Sequence, residues 1–206
     1  MDHLTAEFYA THATDYAIRH DSACVEGLHQ LLSALGTNAA RVLEIGGGSG
    51  RDATFLIQLG CDTTYSDGCE EMVAQARQLH PELAGRAQCA AFPLCDDDAL
   101  LCDRFDLVLC AAVIMHLDDP SLERLASQVA RLIVDGGHLV LSHSRGHRCA
   151  NGNRDSGGRL FLERATATVD RIFEAVGFQP LRLIENSDGL GRDGITWATH
   201  VLQKTP

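Results

Sequence analysis

The sequence predicts an α/β fold, a parallel sheet of seven strands covered by helices. Three observations lead there. Short apolar runs of strand length alternate with stretches of helical period through most of the chain. Glycine and proline fall where those stretches would start or stop. At 206 residues, the chain is long enough for one well-buried core and too short for two of ordinary size.

Taken in order, Thr5 to Leu35 carries apolar residues at helical spacing (Phe8, Tyr9, Tyr16, Ile18) and predicts one or two helices ahead of the sheet. Strands are expected at Arg41–Ile45, Asp62–Tyr65, Gly85–Cys89, Phe105–Ala111, Gly137–Ser142, Phe178–Ile184 and Thr196–Gln203. Helices fit Ala53–Leu59, Glu70–His80, Ser121–Leu132 and Ala167–Val176. Pro120 and Ser121 suit a helix start, and Gly60, Gly136 and Gly177 suit helix ends. One segment breaks the alternation: HSRGHRCANGNRDSGGR, residues 143–159, has almost no apolar side chain and reads as a loop, either a lid or disordered.

Apolar residues at 45% and charged residues at 22% are those of a chain that folds without help. No apolar run approaches the roughly 20 residues that span a bilayer, and the opening MDHLTAEFYATHATDY lacks a basic segment followed by an apolar one. No membrane partner and a cytoplasmic location are therefore expected. A net charge of -11 repels a polyanion, so no nucleic acid is expected either. The eight cysteines form no C-x-x-C pair, and several fall in apolar runs, which suits reduced core thiols.

The stretch VLEIGGGSGRDATFL, residues 42–56, holds four glycines in five positions between a strand and a helix. Bare backbone at such a turn lets a ligand approach a helix N-terminus. Two readings fit. Gly48 to Ala53 satisfies G-x-G-x-x-A, the dinucleotide fingerprint, with Asp67 near the offset of a ribose-binding acid. Glu44, however, is an acid inside the turn and would oppose a pyrophosphate while suiting a cation.

VLEIGGGSG resembles the first motif of the class I S-adenosylmethionine-dependent methyltransferases, with Glu44, Gly46, Gly48 and Gly50 on the E-x-G-x-G-x-G positions. The likeness continues in the family's order. TTYSDGCEEMVAQAR resembles its second-strand segment, which implies that Asp67 and Gly68 meet the ribose and that Met72 lies beside the adenine. AQCAAFPL falls where the family contacts adenine, implying Gln88, Cys89 and Ala90; FDLVLCAAVIMHL resembles the fourth strand, whose end from Ala111 to His116 faces the methionine part and the acceptor. Gly47 joins the glycine set, and Tyr16, in what resembles an N-terminal helical cap, is the expected contact from above. VGFQPLRL and TWATHVLQK resemble the closing strand pair, antiparallel in this family. The resemblance thus implies a three-layer sandwich with helices on both faces and the last strand antiparallel, spanning residues 1–206 as a single domain, with S-adenosylmethionine as cofactor and S-adenosylhomocysteine as product.

A sulfonium methyl is already electrophilic, so alignment of donor and acceptor in a dry site is the main requirement. Where a base is needed, His116 and His143, at the ends of the fourth and fifth strands, are the candidates. His143, His147 and Cys149 together invite a metal, but three donors on one loop lack a fourth, and no metal is expected. The expected acceptor is a small molecule, and the protein a monomer or homodimer. Four other readings remain open: a protein or an RNA methyltransferase, an NAD-dependent oxidoreductase, and a non-catalytic S-adenosylmethionine-binding protein.

Overall fold

Seven strands lie in the order β3-β2-β1-β4-β5-β7-β6. They are β1 (Arg41–Ile45), β2 (Asp62–Asp67), β3 (Ala87–Cys89), β4 (Phe105–Ala111), β5 (Ile133–Arg145), β6 (Phe178–Ser187) and β7 (Thr196–Lys204). Only β7 runs against its neighbours, pairing antiparallel with both β5 and β6. The computed structural model describes residues 1–36, 39–147, 149 and 152–206.

The central strands are apolar on both sides, as strands covered by helices must be. Val42, Leu107, Leu109, Val140 and Val201 face one layer, which holds α2 (Glu26–Ala34) and α3 (Arg51–Gln58). Leu43, Val108, Leu139, Leu141 and Leu202 face the other, which holds α5 (Asp119–Leu132) and α6 (Thr166–Glu174). α4 (Glu70–Leu79) joins α3 over β2, where Val73 and Ala76 cover the fully buried Tyr65. α1 (His3–Asp21) packs on α4 through Ala13, Ala17, Cys69 and Met72.

Local chemistry sets the boundaries. Asp2 caps α1, its carboxylate accepting from the Thr5 amide and hydroxyl; Asp118 caps α5 by accepting from the Ser121 amide. Gly60 and Gly177 end α3 and α6 in the left-handed conformation. Three expectations need correction. Gly136 is no helix end: β5 begins at Ile133 and passes through Gly136 at φ +79°, with a register shift against β4 between Phe105 and Leu107. Ile18 is 55% exposed, so the buried side of α1 is its alanines rather than its large apolar residues. The loop expected over 143–159 is partly strand, since β5 extends to Arg145.

Beyond β5 the chain folds back over α1. The Glu163 carboxylate accepts from the amides of Gly146 and His147, Leu160 donates to the Thr5 hydroxyl, and Arg154 pairs with Asp2 at 2.9 Å. Positions 148, 150 and 151 of the expected loop lie outside the described residues.

Candidate functional site

The carboxyl ends of β1, β2 and β4 open onto one cavity, the position where ligands bind in open α/β sheets. Its floor is the glycine turn. Gly46 and Gly48 hold φ +69° and +56°, and a Cβ on Gly47 would lie 2.6 Å from the Glu44 carboxylate and 2.4 Å from the Tyr65 ring. Glycine is required there by close packing as much as by backbone conformation. The glycine amides of the turn are already engaged: those of Gly46 and Gly47 donate to the Ser66 carbonyl, that of Gly48 to Asp67 Oδ2 at 3.0 Å, and that of Gly50 to the Gly47 carbonyl.

Glu44, Asp52 and Asp67 are the acids that line this cavity. Asp67 is fixed by two backbone amides, from Gly48 on Oδ2 and from Cys69 on Oδ1 at 2.9 Å, which leaves further lone pairs on both oxygens. Burial nevertheless raises its pKa. Glu44 is 2% exposed, and its Oε2 has no partner among the described residues. Burial, with Asp52 and Asp67 adding like charge, holds its carboxyl well above the usual range. An orphaned acid oxygen in a cavity wall is a place for a cationic or hydrogen-donating ligand.

The sequence candidates divide. Tyr16, Glu44, Gly46, Gly47, Gly48, Asp67, Gly68, Met72, Ala90, Ala111 and His116 line the cavity. Gly50, Gln88 and Cys89 do not. Gly50 turns α3 at φ +85° and packs against Leu83 and Ala76. The wall expected from Gln88 and Cys89 is instead made by Ala90, Ala91 and Phe92, since β3 stops at Cys89.

A second cavity of about 410 Å³ adjoins the first and shares Tyr9, Tyr16, His20, Arg51, Asp52, Ala111, Ala112 and His116 with it. Its outer wall comes from the α1–α2 junction, His147, Arg159, Phe161 and the segment from Asn186 to Arg192. His143 lines neither cavity. Its side chain points to the α6 side of the sheet, within 3.2 Å of His200 Nε2, and His200 Nδ1 donates to Asp170 at 2.7 Å.

His116 is placed on both cavities, yet both its nitrogens are engaged. Nδ1 lies 2.6 Å from the Leu160 carbonyl, which can only accept, so Nδ1 carries the hydrogen and Nε2 accepts from the Tyr9 hydroxyl at 3.0 Å. Burial lowers its pKa to about 4, so the ring is neutral.

Several lining residues escaped sequence reasoning. Arg51 forms a two-point pair with the neighbouring Asp52, at 2.9 and 3.0 Å, and also donates to the His20 carbonyl, while His29 Nε2 sits 2.8 Å from the same Asp52. This knot ties α1 and α2 to the start of α3. Arg51 and Asp52 follow the glycine run directly, so their position could have suggested it. Ala112 holds φ +61°, its amide donating to the Ser142 carbonyl at 3.1 Å. Nothing in its residue type announces that conformation.

Residues 43–139 match a family described as methyltransferase domain. Among curated proteins, a ubiquinone biosynthesis O-methyltransferase of Xanthomonas oryzae pv. oryzae is 32% identical over 103 residues, covering 50% of this chain and 42% of that one. A probable chemotaxis protein methyltransferase of Rhizobium etli is 26% identical over 89 residues, covering 43% and 26%. The chain thus spans less than half the length of these relatives. Among solved structures, the Burkholderia thailandensis 1,6-didemethyltoxoflavin-N1-methyltransferase, with 1,6-didemethyltoxoflavin and S-adenosylhomocysteine bound, superposes with a TM-score of 0.74 at 18% identity, covering 98% of this chain and 88% of that one. The N-methyltransferase NodS of Bradyrhizobium japonicum, in complex with S-adenosylhomocysteine, gives 0.68 at 18% identity with both chains fully covered. At such identities these structures establish the fold, and the [4+2]-cyclase SpnF shares it at a TM-score of 0.64. Residues 43–139 thus match the methyltransferase domain family, and they lie within a seven-stranded fold shared with these solved structures.

Proposed function

We propose that the chain binds S-adenosylmethionine in the first cavity and transfers its methyl group to a small molecule held in the second. The observation that carries this reading is the pair of acids on the glycine turn: a buried Glu44 with an unpartnered oxygen, and Asp67 fixed by two amides. A pyrophosphate would need that turn's amides, but Asp67 itself occupies the Gly48 amide. That speaks against a nicotinamide dinucleotide. An ammonium, by contrast, is a suitable partner for Glu44, and a ribose diol for Asp67. Met72 and the Ala90–Phe92 wall would hold the adenine, with Tyr16 above. Small-molecule and porphyrin methyltransferases stand among the structural neighbours.

S-adenosylmethionine supplies a methyl group already activated on sulfur. The chain's own task is to keep water out and to align the acceptor. Tyr9, Tyr16 and His20 cover both cavities from α1, while Ala111 and Ala112 form the narrow wall shared between them. His116 acts by orienting the Tyr9 hydroxyl, because its own nitrogens are occupied.

Calorimetric titration with S-adenosylmethionine, S-adenosylhomocysteine and NAD tests the reading. Binding of the first two alone is expected, and Asp67→Ala should weaken it by about 2 kcal/mol. Binding of NAD alone overturns it. Cofactor binding without turnover of any acceptor would leave a non-catalytic binding protein.

A further inference from the structure

The second cavity has a distinctive balance of charge and shape. Arg51, Arg159 and Arg192 each form a two-point pair with a carboxylate, from Asp52, Asp155 and Asp188, with contacts of 2.7–3.0 Å. No uncompensated charge therefore lines it among the described residues. A charged ligand would lose its hydration there and gain no counter-ion.

The wall carries stacked rings. His20 stacks on Tyr16 with centroids 3.9 Å apart, and His147 stacks on Phe161 at the same 3.9 Å. Trp197 adds an indole held by its Nε1–H to Asp188 at 2.8 Å. Aromatic faces reward a planar partner, and about 410 Å³ is the size of a small-molecule site.

One polar atom in this wall lacks a partner. His20 Nε2 is shielded from solvent and makes no hydrogen bond among the described residues. The residue lines both cavities, and its carbonyl is held by Arg51. An unmatched buried nitrogen is destabilising, so a ligand that satisfies it recovers that cost.

Resting on the methyltransferase reading, we infer that the acceptor is an uncharged, flat aromatic molecule with an O–H or N–H group, and that His20 Nε2 accepts the hydrogen bond from that group. The ring is available for this, since burial and the nearby arginines lower its pKa to about 4 and keep it neutral. Transfer breaks the methyl carbon–sulfur bond and forms a carbon–oxygen or carbon–nitrogen bond. The acceptor's proton passes through Nε2 and on to water, because a ring with a pKa of about 4 does not keep it, so the sulfonium's positive charge leaves with the proton.

The test uses the full chain with catechol and quinolinol as uncharged flat probes, and salicylate and ethanolamine as charged ones. Calorimetry on the S-adenosylhomocysteine-loaded protein is expected to show binding of the uncharged pair alone, and labelled methyl transfer should follow the same preference. His20→Phe keeps the stack and removes the nitrogen; at saturating S-adenosylmethionine it should lower kcat/KM for the acceptor about 30-fold. His20→Gln should recover KM more than kcat, since an amide accepts a hydrogen bond but not a proton. Preference for a charged probe, binding of none of the four, or an unchanged kcat/KM in His20→Phe overturns the inference. Absence of S-adenosylhomocysteine binding in the unmodified chain would instead overturn the cofactor reading beneath it.

Discussion

Glu44 stores part of the folding energy as binding potential. Its carboxyl is buried, raised in pKa by that burial and by Asp52 and Asp67, and left with one oxygen unmatched. A cation bound beside it will favour the ionised form, so ligand binding should release a proton. Titrating S-adenosylhomocysteine in phosphate and in Tris should give different apparent enthalpies, and Glu44→Gln should remove the difference. The same variant should melt higher than the unmodified chain and bind the ligand about tenfold more weakly. Glu44 and Asp67 were legible in the sequence because their spacing from the glycines is local. The engagement of His116 was not, since its partners Tyr9 and Leu160 lie 107 and 44 positions away.

At the level of elements, the glycine turn has two separable duties. Gly46 and Gly47 leave room beside Val113, Tyr65 and Glu44, whereas Gly50 lets α3 start against α4. Gly50→Ala would place a methyl group 2.5 Å from Leu83 Cδ1 at a backbone angle of +85°. It should lower stability by about 2 kcal/mol or more in urea titration, with m unchanged. A motif read from sequence cannot separate a glycine that faces a cavity from one that faces a helix, which is why Gly50 stood with the binding set. A similar limit applies to the cavity wall expected of Gln88 and Cys89, which Ala90–Phe92 form: where β3 ends depends on its register with β2. The Arg51–Asp52–His29 knot is a third element-level feature. Asp52, held at a pKa of about 2 by His29 and Arg51 against its burial, should on Asp52→Asn cost about 3 kcal/mol, because a buried guanidinium loses its counter-charge.

For the whole molecule, acid should be the main chemical threat. His20, His116 and His143 are each held at a pKa of about 4, chiefly by burial. The unfolded chain takes up a proton at each near the ordinary 6.5, while the folded chain resists until about 4. Stability from these rings is therefore complete above that ordinary value and declines as pH falls towards 4. For the nearly fully buried His116 alone the loss is on the order of 3 kcal/mol. Urea midpoints measured from neutral pH down to about 4.5 should fall steadily, and less steeply in His143→Gln. The parallel sheet covered by helices was legible because strand and helix periods alternate along the chain, whereas the antiparallel last strand rested on the family resemblance. The way the segment after β5 returns to α1 was not, because its polar composition hides contacts such as Leu160 to Thr5 and Arg154 to Asp2.

The side of α1 that meets the rest of the protein is mostly small: Thr5, Ala13 and Ala17 are its buried residues, with Tyr9 and Tyr16 half-buried over the cavities. Small side chains remove little apolar surface from water, so α1 should detach at a free energy well below that of global unfolding. Amide hydrogen exchange should register this as a distinct unit, with α1 exchanging orders of magnitude faster than β1, β4 and β5. A cofactor that touches Tyr16 and His20 from below would slow exchange in α1 while leaving the central strands unchanged. The helix would then serve as a built-in reporter of occupancy, readable without any assay of the reaction.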